Sequence, residues 1–448
     1  MATADEDFLR GFHQNLVDGP LEPDDRRYVA MYSRTSADPV LRLARKIEWK
    51  QHESTQLFSG FRGTGKSTEL RRLRKVLSER GFKVVLCDMQ KYINLSSPIE
   101  VSDFLISTAG AISDALSEDP ELLGDDLAQR GYWQRAVDFF TRTQIAFDSL
   151  PIGSKAGDAS GQLKLALKDD PSFREQLQTK MKGRLGALAD DVRSFMADVV
   201  KAIRDKHEDE GTQLVVLLDS IEQIRGTSAD ESDVFASVES LFAGHPDKLK
   251  FDSVHLVYTV PPWLKIRSPG VAKYYDGSET LPCVKLRERD GTRCDAGLEI
   301  LDQIVRGRGD WTRLLTPEDF ERVRFVTGGY LRDLFKLLQN ITISAPDHDA
   351  RPLSPATIDY EIAVLRNGYM PLAHEDSRWL ARVARSHEAE LAEHSTIPRL
   401  SRLFDTHLLL CYRNGQEWYG IHPLLQDEVD RVIAADTASA TESSQPEP

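Results

Sequence analysis

Residues Gly60-Phe61-Arg62-Gly63-Thr64-Gly65-Lys66-Ser67 have the spacing G-x-x-x-x-G-K-S, that of a loop able to cradle a polyphosphate. Glycines at 60, 63 and 65 let the backbone bend without Cβ clashes, so that successive N–H groups and the start of the next helix face one anion. Lys66 is placed to reach the β and γ phosphates. Ser67 supplies a hydroxyl to Mg²⁺, an ion that keeps most of its octahedral shell as water. Arg62 and Thr64 belong to the same cradle, and Thr68 offers one further phosphate contact. Such a loop needs a strand before it and a helix after it. Ser54 to Ser59 can form the strand, and Leu70, Leu73, Val76 and Leu77 recur at helical spacing beyond it.

A nucleotide hydrolase also needs a carboxylate at the end of a buried strand to hold the Mg²⁺ shell. Leu214-Val215-Val216-Leu217-Leu218 reads as that strand and Asp219 ends it. Glu222 could polarise an attacking water, or be a solvated residue at a helix start. The residue directly after Asp219 is Ser220 rather than a second acid, so slow turnover is expected. Thr259 closes the next apolar strand, from Val254, where it either senses the γ phosphate or bonds to local backbone. Arg332, in Gly328-Gly329-Tyr330-Leu331-Arg332, opens a helix from which it could fold over bound phosphates. The sequence has no N/T-K-x-D guanine-reading motif, so ATP and ADP are the expected ligands.

The composition, 40% apolar and 29% charged over 448 residues, fits two to four soluble domains. A net charge of −14 has the wrong sign for a protein whose main business is coating nucleic acid, and leaves room only for a local basic face. The longest apolar runs are too short to span a bilayer, and the acidic N-terminus lacks a signal core; no membrane anchor and a cytoplasmic location are expected. Cys87, Cys283, Cys294 and Cys411 show no C-x-x-C spacing, which argues against a zinc site or a disulfide framework. Arg71, Arg72, Arg74 and Lys75 read as a solvated helix face.

The elements that position these residues follow from periodicity. Residues 1–50 form a turn-rich N-terminal segment ending in a helix with Val40, Leu43, Ala44 and Ile47 on one face. Residues 51–288 alternate strand and helix, with strands near 54–59, 83–88, 213–218, 254–259 and 283–286, which implies an α/β parallel sheet flanked by helices. Within them, 118–209 is a helical insertion containing a flexible stretch from Gly153 to Gly161 and a long helix with Leu185, Leu188, Val192, Phe195, Val199 and Ile203. Residues 289–366 carry four helices, a small all-helical lid domain. Residues 367–433 combine helices near 377–391 and 398–405 with a hairpin, Leu408 to Arg413 and Glu417 to Ile421, turning at Asn414-Gly415, and so suggest a winged helix. Residues 434–448 lack apolar side chains and are expected to be disordered.

Taken in this order, the loop, the Asp219 strand, Thr259, the Gly-Gly-Tyr-Leu-Arg helix and the winged helix resemble the STAND signalling ATPases, relatives of the AAA+ and origin-recognition P-loop ATPases. Trp418-Tyr419-Gly420-Ile421-His422-Pro423-Leu424-Leu425 is similar to the M-H-D-L-L motif with which the winged-helix domain of apoptosome-type and plant-resistance STAND proteins caps ADP. The resemblance gives His422 a contact to the β phosphate that holds a closed state, although Pro423 stands where the motif has Asp. It implies a slowly hydrolysing ATP switch that assembles with copies of itself or with a partner protein. With no effector domain before residue 20 and no repeat array after 433, effector and sensor functions would come from another polypeptide, in a setting such as bacterial antiviral defence or signalling. The competing reading is an origin- or transposition-type ATPase that puts its winged helix on DNA. The helix that would enter the groove offers only Arg399 and Arg402 before Asp405, so nucleic acid is not favoured. A metabolic kinase would leave the helical and winged-helix domains without a role.

Overall fold

The computed structural model describes residues 2–17, 19–32, 38–122, 131–147, 159–226, 230–389 and 397–442. In chain order, α1 (Ala2–Asn15) and α2 (Pro39–Glu48) precede β1 (Ser54–Gly60), the glycine loop and α3 (Lys66–Glu79). β2 (Lys83–Asp88) and α4 (Val101–Ser117) lead to four further helices, α5 (Tyr132–Arg142), α6 (Ala159–Asp169), α7 (Pro171–Met181) and α8 (Leu185–His207). β3 (Leu214–Asp219), α9 (Glu231–Glu239), β4 (Val254–Val260), the short α10 (Leu264–Arg267) and β5 (Gly277–Leu281) follow. Helices α11 (Asp295–Arg306), α12 (Pro317–Val326), α13 (Leu331–Ser344) and α14 (Pro355–Asn367) come next. The chain then runs through α15 (His374–Ser386), α16 (Ile397–Asp405), the hairpin of β6 (Leu409–Asn414) and β7 (Gln416–Ile421), and α17 (Gln426–Glu442).

The fold is α/β. Five strands form one sheet in the order β2-β3-β4-β1-β5, with β2–β3, β3–β4 and β1–β4 parallel. Every residue of β1, β3 and β4 is buried, the pattern of parallel strands covered on both faces. Phe58 lies opposite Thr259 and Leu218 opposite Tyr258, so the carboxyl ends of β1, β4 and β3 are level along one edge of the sheet. Ligands in open α/β sheets collect at that edge.

The chain forms two compact units. One comprises Pro39–Ser59 and Glu69–Thr280 and holds the sheet. Its α4 is buried almost all round, because α5 to α8 pack over the side that the sheet leaves open. Gly110 makes this possible: a Cβ there would lie 2.2 Å from the Trp133 ring of α5. The Trp133 indole donates to Asp114 at 2.9 Å, which fixes α5 on α4. The other unit comprises Met1–Asp38, Gly60–Thr68 and Leu281–Pro448, so the glycine loop belongs with the N-terminal segment and the C-terminal third of the chain.

Several expectations need correction. The fifth strand is Gly277–Leu281, not 283–286. The backbone of the later segment is bonded instead within the C-terminal unit, Cys283 N–H to Cys411 O at 2.9 Å and Val284 N–H to Gly329 O at 3.3 Å, and a donor used there cannot serve a sheet ladder. The turn-rich segment contains α1, along which the buried Leu9 and Phe12, with Leu16 just past its end, recur at helical spacing among polar neighbours. The helix placed at 377–391 ends at Ser386, where His387 turns to φ 58°. Past residue 433 the chain stays helical to Glu442; Ala434, Ala435, Ala438 and Ala440 favour helix without needing a core. Of the stretch read as flexible, 159–161 begin α6, and 153–158 lie outside the described residues.

His255 on β4 is fully buried, with Nδ1 2.9 Å from Ser54 Oγ. Burial pushes its pKa down to about 4, against the opposing charges of Glu53 and Asp276. The folded ring stays neutral while the unfolded chain protonates near pH 6.5, so stability is full above that pH and falls as the pH drops towards 4. Each unit of such a shift is worth about 1.4 kcal/mol. Urea midpoints measured from pH 7 to 4 should decline more steeply for the parent than for His255→Gln; parallel curves would remove His255 as a source of the acid sensitivity.

Candidate functional site

β1 delivers the chain into the loop, where Gly63 and Gly65 adopt φ of 82° and 93°, values that side chains with a Cβ rarely take. Gly63 is also the point of closest approach. A Cβ on it would lie 2.8 Å from the Arg332 Cβ and 3.0 Å from the Tyr330 hydroxyl, and that hydroxyl donates to Arg62 O at 2.7 Å. Arg332, nominated from the sequence, therefore sits against the loop, carried there by the first turn of α13. Lys66 is 3% exposed, and its ammonium donates to Gly60 O at 2.8 Å and Phe61 O at 2.6 Å, bent back over its own loop. Thr64 Oγ1 donates to Phe61 O at 2.8 Å, and Thr68 Oγ1 accepts the Leu21 N–H at 3.0 Å. Ser67 occupies the second position of α3 and is half-buried. Lys66, Arg332, the hydroxyls of Thr64, Ser67 and Thr68 and a helix start lie along this loop, a donor set that fits a polyphosphate.

Beside Gly63, Gly65 and Thr68 opens a narrow cleft of about 60 Å³ walled by Tyr28, Met31, Ile304, Arg308, Leu331 and Phe335. Its apolar walls next to an anion cradle suit a base and ribose, and its width requires the walls to part before a purine enters. Arg308 is 7% exposed; it donates to Ile304 O at 2.8 Å and lies 4.3 Å from the centre of the Phe335 ring. Burial, together with neighbouring Arg27, lowers its pKa to about 10, which leaves it charged at neutral pH. Sequence reading missed these walls. The one available signal was the apolar Tyr28-Val29-Ala30-Met31 in an otherwise polar stretch.

In the sheet-bearing unit, Asp219 ends β3 and is buried, with Oδ1 accepting the Ser220 N–H at 2.7 Å. Ser220 then takes φ 72°, a sharp corner that starts a short turn containing Glu222. Glu222 is 7% exposed, so the solvated alternative does not hold. The Thr259 hydroxyl donates to Leu218 O at 3.1 Å and accepts the Ile221 N–H at 3.0 Å. Its one proton is committed to backbone, so in this conformation Thr259 has none to offer a phosphate. It ties the end of β4 to both sides of the Asp219 corner and thereby positions Asp219 and Glu222.

His422 is fully buried at the end of β7. Its Nδ1 accepts the Leu424 N–H at 3.3 Å, which leaves the proton of a neutral ring on Nε2. Nε2 stands 3.2 Å from Asp333 Oδ2 on α13, close enough for electrostatic attraction but not aligned as a full hydrogen bond. Tyr369 donates to the same oxygen at 2.6 Å. Burial alone would raise the Asp333 carboxyl, but His422 and Tyr369 outweigh it and hold the carboxyl below its ordinary value. Both nitrogens of His422 are thus turned to protein groups in this form. His407 completes the surroundings of the loop, stacked on Tyr330 at 5.0 Å and tilted against Phe61 at 5.8 Å. Burial, then nearby Arg332, lowers its pKa to about 3. No motif marked Asp333, Tyr369 or His407 in the sequence.

No protein-family model matches the chain, and no curated protein matches it. Among solved structures it is similar to the ORC2 protein of Aeropyrum pernix in its ADPNP–ADP complexes, at 13% identity, 95% of this chain and 98% of that one, with a TM-score of 0.43. The ADP form of the same protein gives 13% identity, 95% and 98% coverage and a TM-score of 0.41. Cdc6p from Pyrobaculum aerophilum gives 13% identity, 92% and 98% coverage and a TM-score of 0.36.

Thr259→Val would keep the volume of the side chain and strand the buried Ile221 N–H, at a cost of about 1–3 kcal/mol. Urea unfolding should show that loss and Thr259→Ser should recover most of it. Equal stability of all three proteins would mean that the hydroxyl does not hold the corner.

Proposed function

We propose that this chain is an ATP- and ADP-binding switch of the STAND type, related to the AAA+ ATPases. On this reading it hydrolyses ATP slowly and couples nucleotide state to self-assembly or to engagement of a partner protein. The observation that supports this most is the closure of Tyr330 and Arg332 onto Gly63 of a G-x-x-x-x-G-K-S loop. A polyphosphate there would draw Lys66 off the carbonyls of Gly60 and Phe61 and come up against Arg332. A nucleotide base in the narrow cleft would press on Leu331 and Phe335 of the same helix. ATP and ADP differ in what they ask of α13, and a ligand shifts a conformational equilibrium only by such a difference. Because α13 also carries Asp333, the helix that meets the phosphates is the one that holds His422.

Mg²⁺, held by Ser67 and Asp219, would neutralise charge on the β and γ phosphates. Glu222, kept out of bulk water, is the candidate to polarise the attacking water, with Lys66 offsetting transferred charge. A cytoplasmic setting and a role in antiviral defence or signalling belong to the same proposal. Among the described residues no helix is long and apolar enough to cross a membrane.

The DNA-binding alternative asks α16 to read a groove. Its Arg399 pairs with Glu375 and Asp376, and Arg402 pairs with Asp376, all on α15. Arginines already neutralised by carboxylates release few counterions on a duplex, which favours a protein partner. A salt-dependent titration with duplex DNA tests this: tight binding with a steep salt slope would reinstate the DNA-binding reading.

Lys66→Ala should lose ATP and ADP binding in calorimetric titration while the fold stays intact, and unchanged affinity would sink the nucleotide assignment. Asp219→Ala should impair Mg²⁺-dependent binding and turnover, whereas Glu222→Gln should bind ATP and fail to hydrolyse it.

His422→Ala releases α13 from the hairpin. An electrostatic contact to a buried carboxylate made in only one state is worth about 1–3 kcal/mol, so ADP retention should weaken roughly 5- to 150-fold with ATP affinity changed far less. Equal ADP off-rates in parent and variant would return His422 to a purely structural role.

A further inference from the structure

A second cavity, of about 420 Å³, lies in the C-terminal unit between the 286–291 turn, the end of α12, the end of α15 and the hairpin. It does not include the glycine loop, and its volume falls in the range of about 300–1,000 Å³ typical of small-molecule sites. Its walls are aromatic: Phe325, Tyr412 and Trp418, with His387 edge-on to the Trp418 ring at 5.3 Å. Trp418 is 5% exposed, and its indole N–H meets no acceptor among the described residues. A buried indole donor ordinarily has a partner. At the rim, Arg289 is engaged by Glu388 at 2.9 Å and Glu288 by Lys285 at 2.7 Å. Arg287 spends one N–H on Gly291 O at 3.2 Å and lies 4.6 Å from the centre of the Phe325 ring, and no carboxylate pairs with it among the described residues. The lining therefore offers flat apolar faces, one buried donor and one net cation.

The geometry points to a binding site for a planar aromatic molecule bearing a single anionic group, placed so that its occupant acts on the loop. The route is short. Trp418 packs on Tyr412 at 4.6 Å, and the Tyr412 hydroxyl donates to Gly328 O at 2.7 Å. Gly328 is itself a point of close approach, where a Cβ would meet Pro423, Leu410 and the Tyr412 hydroxyl at 2.8–2.9 Å. Two residues on, Tyr330 holds Arg62 of the loop. An occupant that shifts Tyr412 shifts the turn that carries Tyr330 and Arg332. This effector role rests on the nucleotide reading above; the site itself does not.

The test uses the full chain and 8-anilinonaphthalene-1-sulfonate, an aromatic monoanion whose emission rises on binding, beside its uncharged counterpart N-phenyl-1-naphthylamine. Circular dichroism and urea midpoints verify the fold of each variant. The parent should bind one sulfonate per chain, Ala384→Phe should abolish that binding by filling the cavity, and Trp418→Phe, which keeps an aromatic face but loses the indole N–H and part of its area, should weaken it several-fold. Arg287→Gln should weaken the sulfonate about tenfold, the loss of a charged contact, and leave the neutral dye unchanged. Sulfonate binding indifferent to Ala384→Phe, or an Arg287→Gln variant that treats both dyes as the parent does, overturns the site. Saturating sulfonate should change ADP affinity, and ADP should change sulfonate affinity by the same factor. An unchanged ADP affinity overturns the effector role, whereas failure to bind ADP under any condition strikes the nucleotide reading and leaves the dye result standing.

Discussion

The approach of α13 to Gly63 is the constraint on which the rest of the C-terminal unit depends. With φ at 82° and no Cβ, Gly63 lets the first turn of a helix more than 260 residues away in sequence come within van der Waals range of the loop. The Tyr330 hydroxyl then secures the contact at Arg62 O. Any larger residue at 63 would push back Arg332, and with it a helix whose other side is packed against α1 and α14. A packed helix of this kind moves as a body rather than yielding locally, so a change at the loop is passed along α13 to Asp333.

Asp333, His422 and Tyr369 make that helix answerable to the hairpin. A buried carboxylate is costly to desolvate, and a partner at 3.2 Å without full alignment repays only part of the cost. The group is therefore better suited to choosing between arrangements than to adding stability. Removing one member leaves the others unmatched, and displacing the set together costs little more than the desolvation already incurred. The rigid part of the molecule lies elsewhere. In the sheet unit, the Thr259 hydroxyl satisfies both a carbonyl and an N–H around the Asp219 corner, and so ties the backbone that carries Asp219 and Glu222 to the end of β4.

Much of this was legible in the sequence because it rests on local chemistry. The loop, α3, β1 to β4 and the caps Thr316 and Ser354, each accepting the N–H three residues on, are written in short spacings. So is the positive φ of Gly415 in the hairpin. What was not legible is set by distant partners. The 283–286 run has strand composition, yet Cys411 and Gly329 take its N–H groups. For Thr259 the sequence leaves sensor and backbone-bonded readings open, and it is the end of β3 that takes its proton. Asp333 is an ordinary helix residue and Tyr369 an ordinary turn residue until a hairpin from the end of the chain brings His422 against both.

The same lesson explains the departure at Pro423. The motif that His422 resembles carries its carboxylate on the following residue; here that residue is proline at the first position of a short 3-10 turn, with His422 capping the turn through Nδ1. Proline suits the position, since it gives up an N–H that the turn would not use and fixes φ near the helical value. It also lies against Gly328, where a Cβ would come 2.9 Å from its ring. The carboxylate facing His422 comes from α13 instead. A carboxylate on the neighbouring residue would move with the histidine, whereas one on α13 moves with the helix that contacts the loop. The histidine thereby faces the helix that contacts the loop rather than its own turn, and a substitution that restored Asp at 423 would not recreate that arrangement.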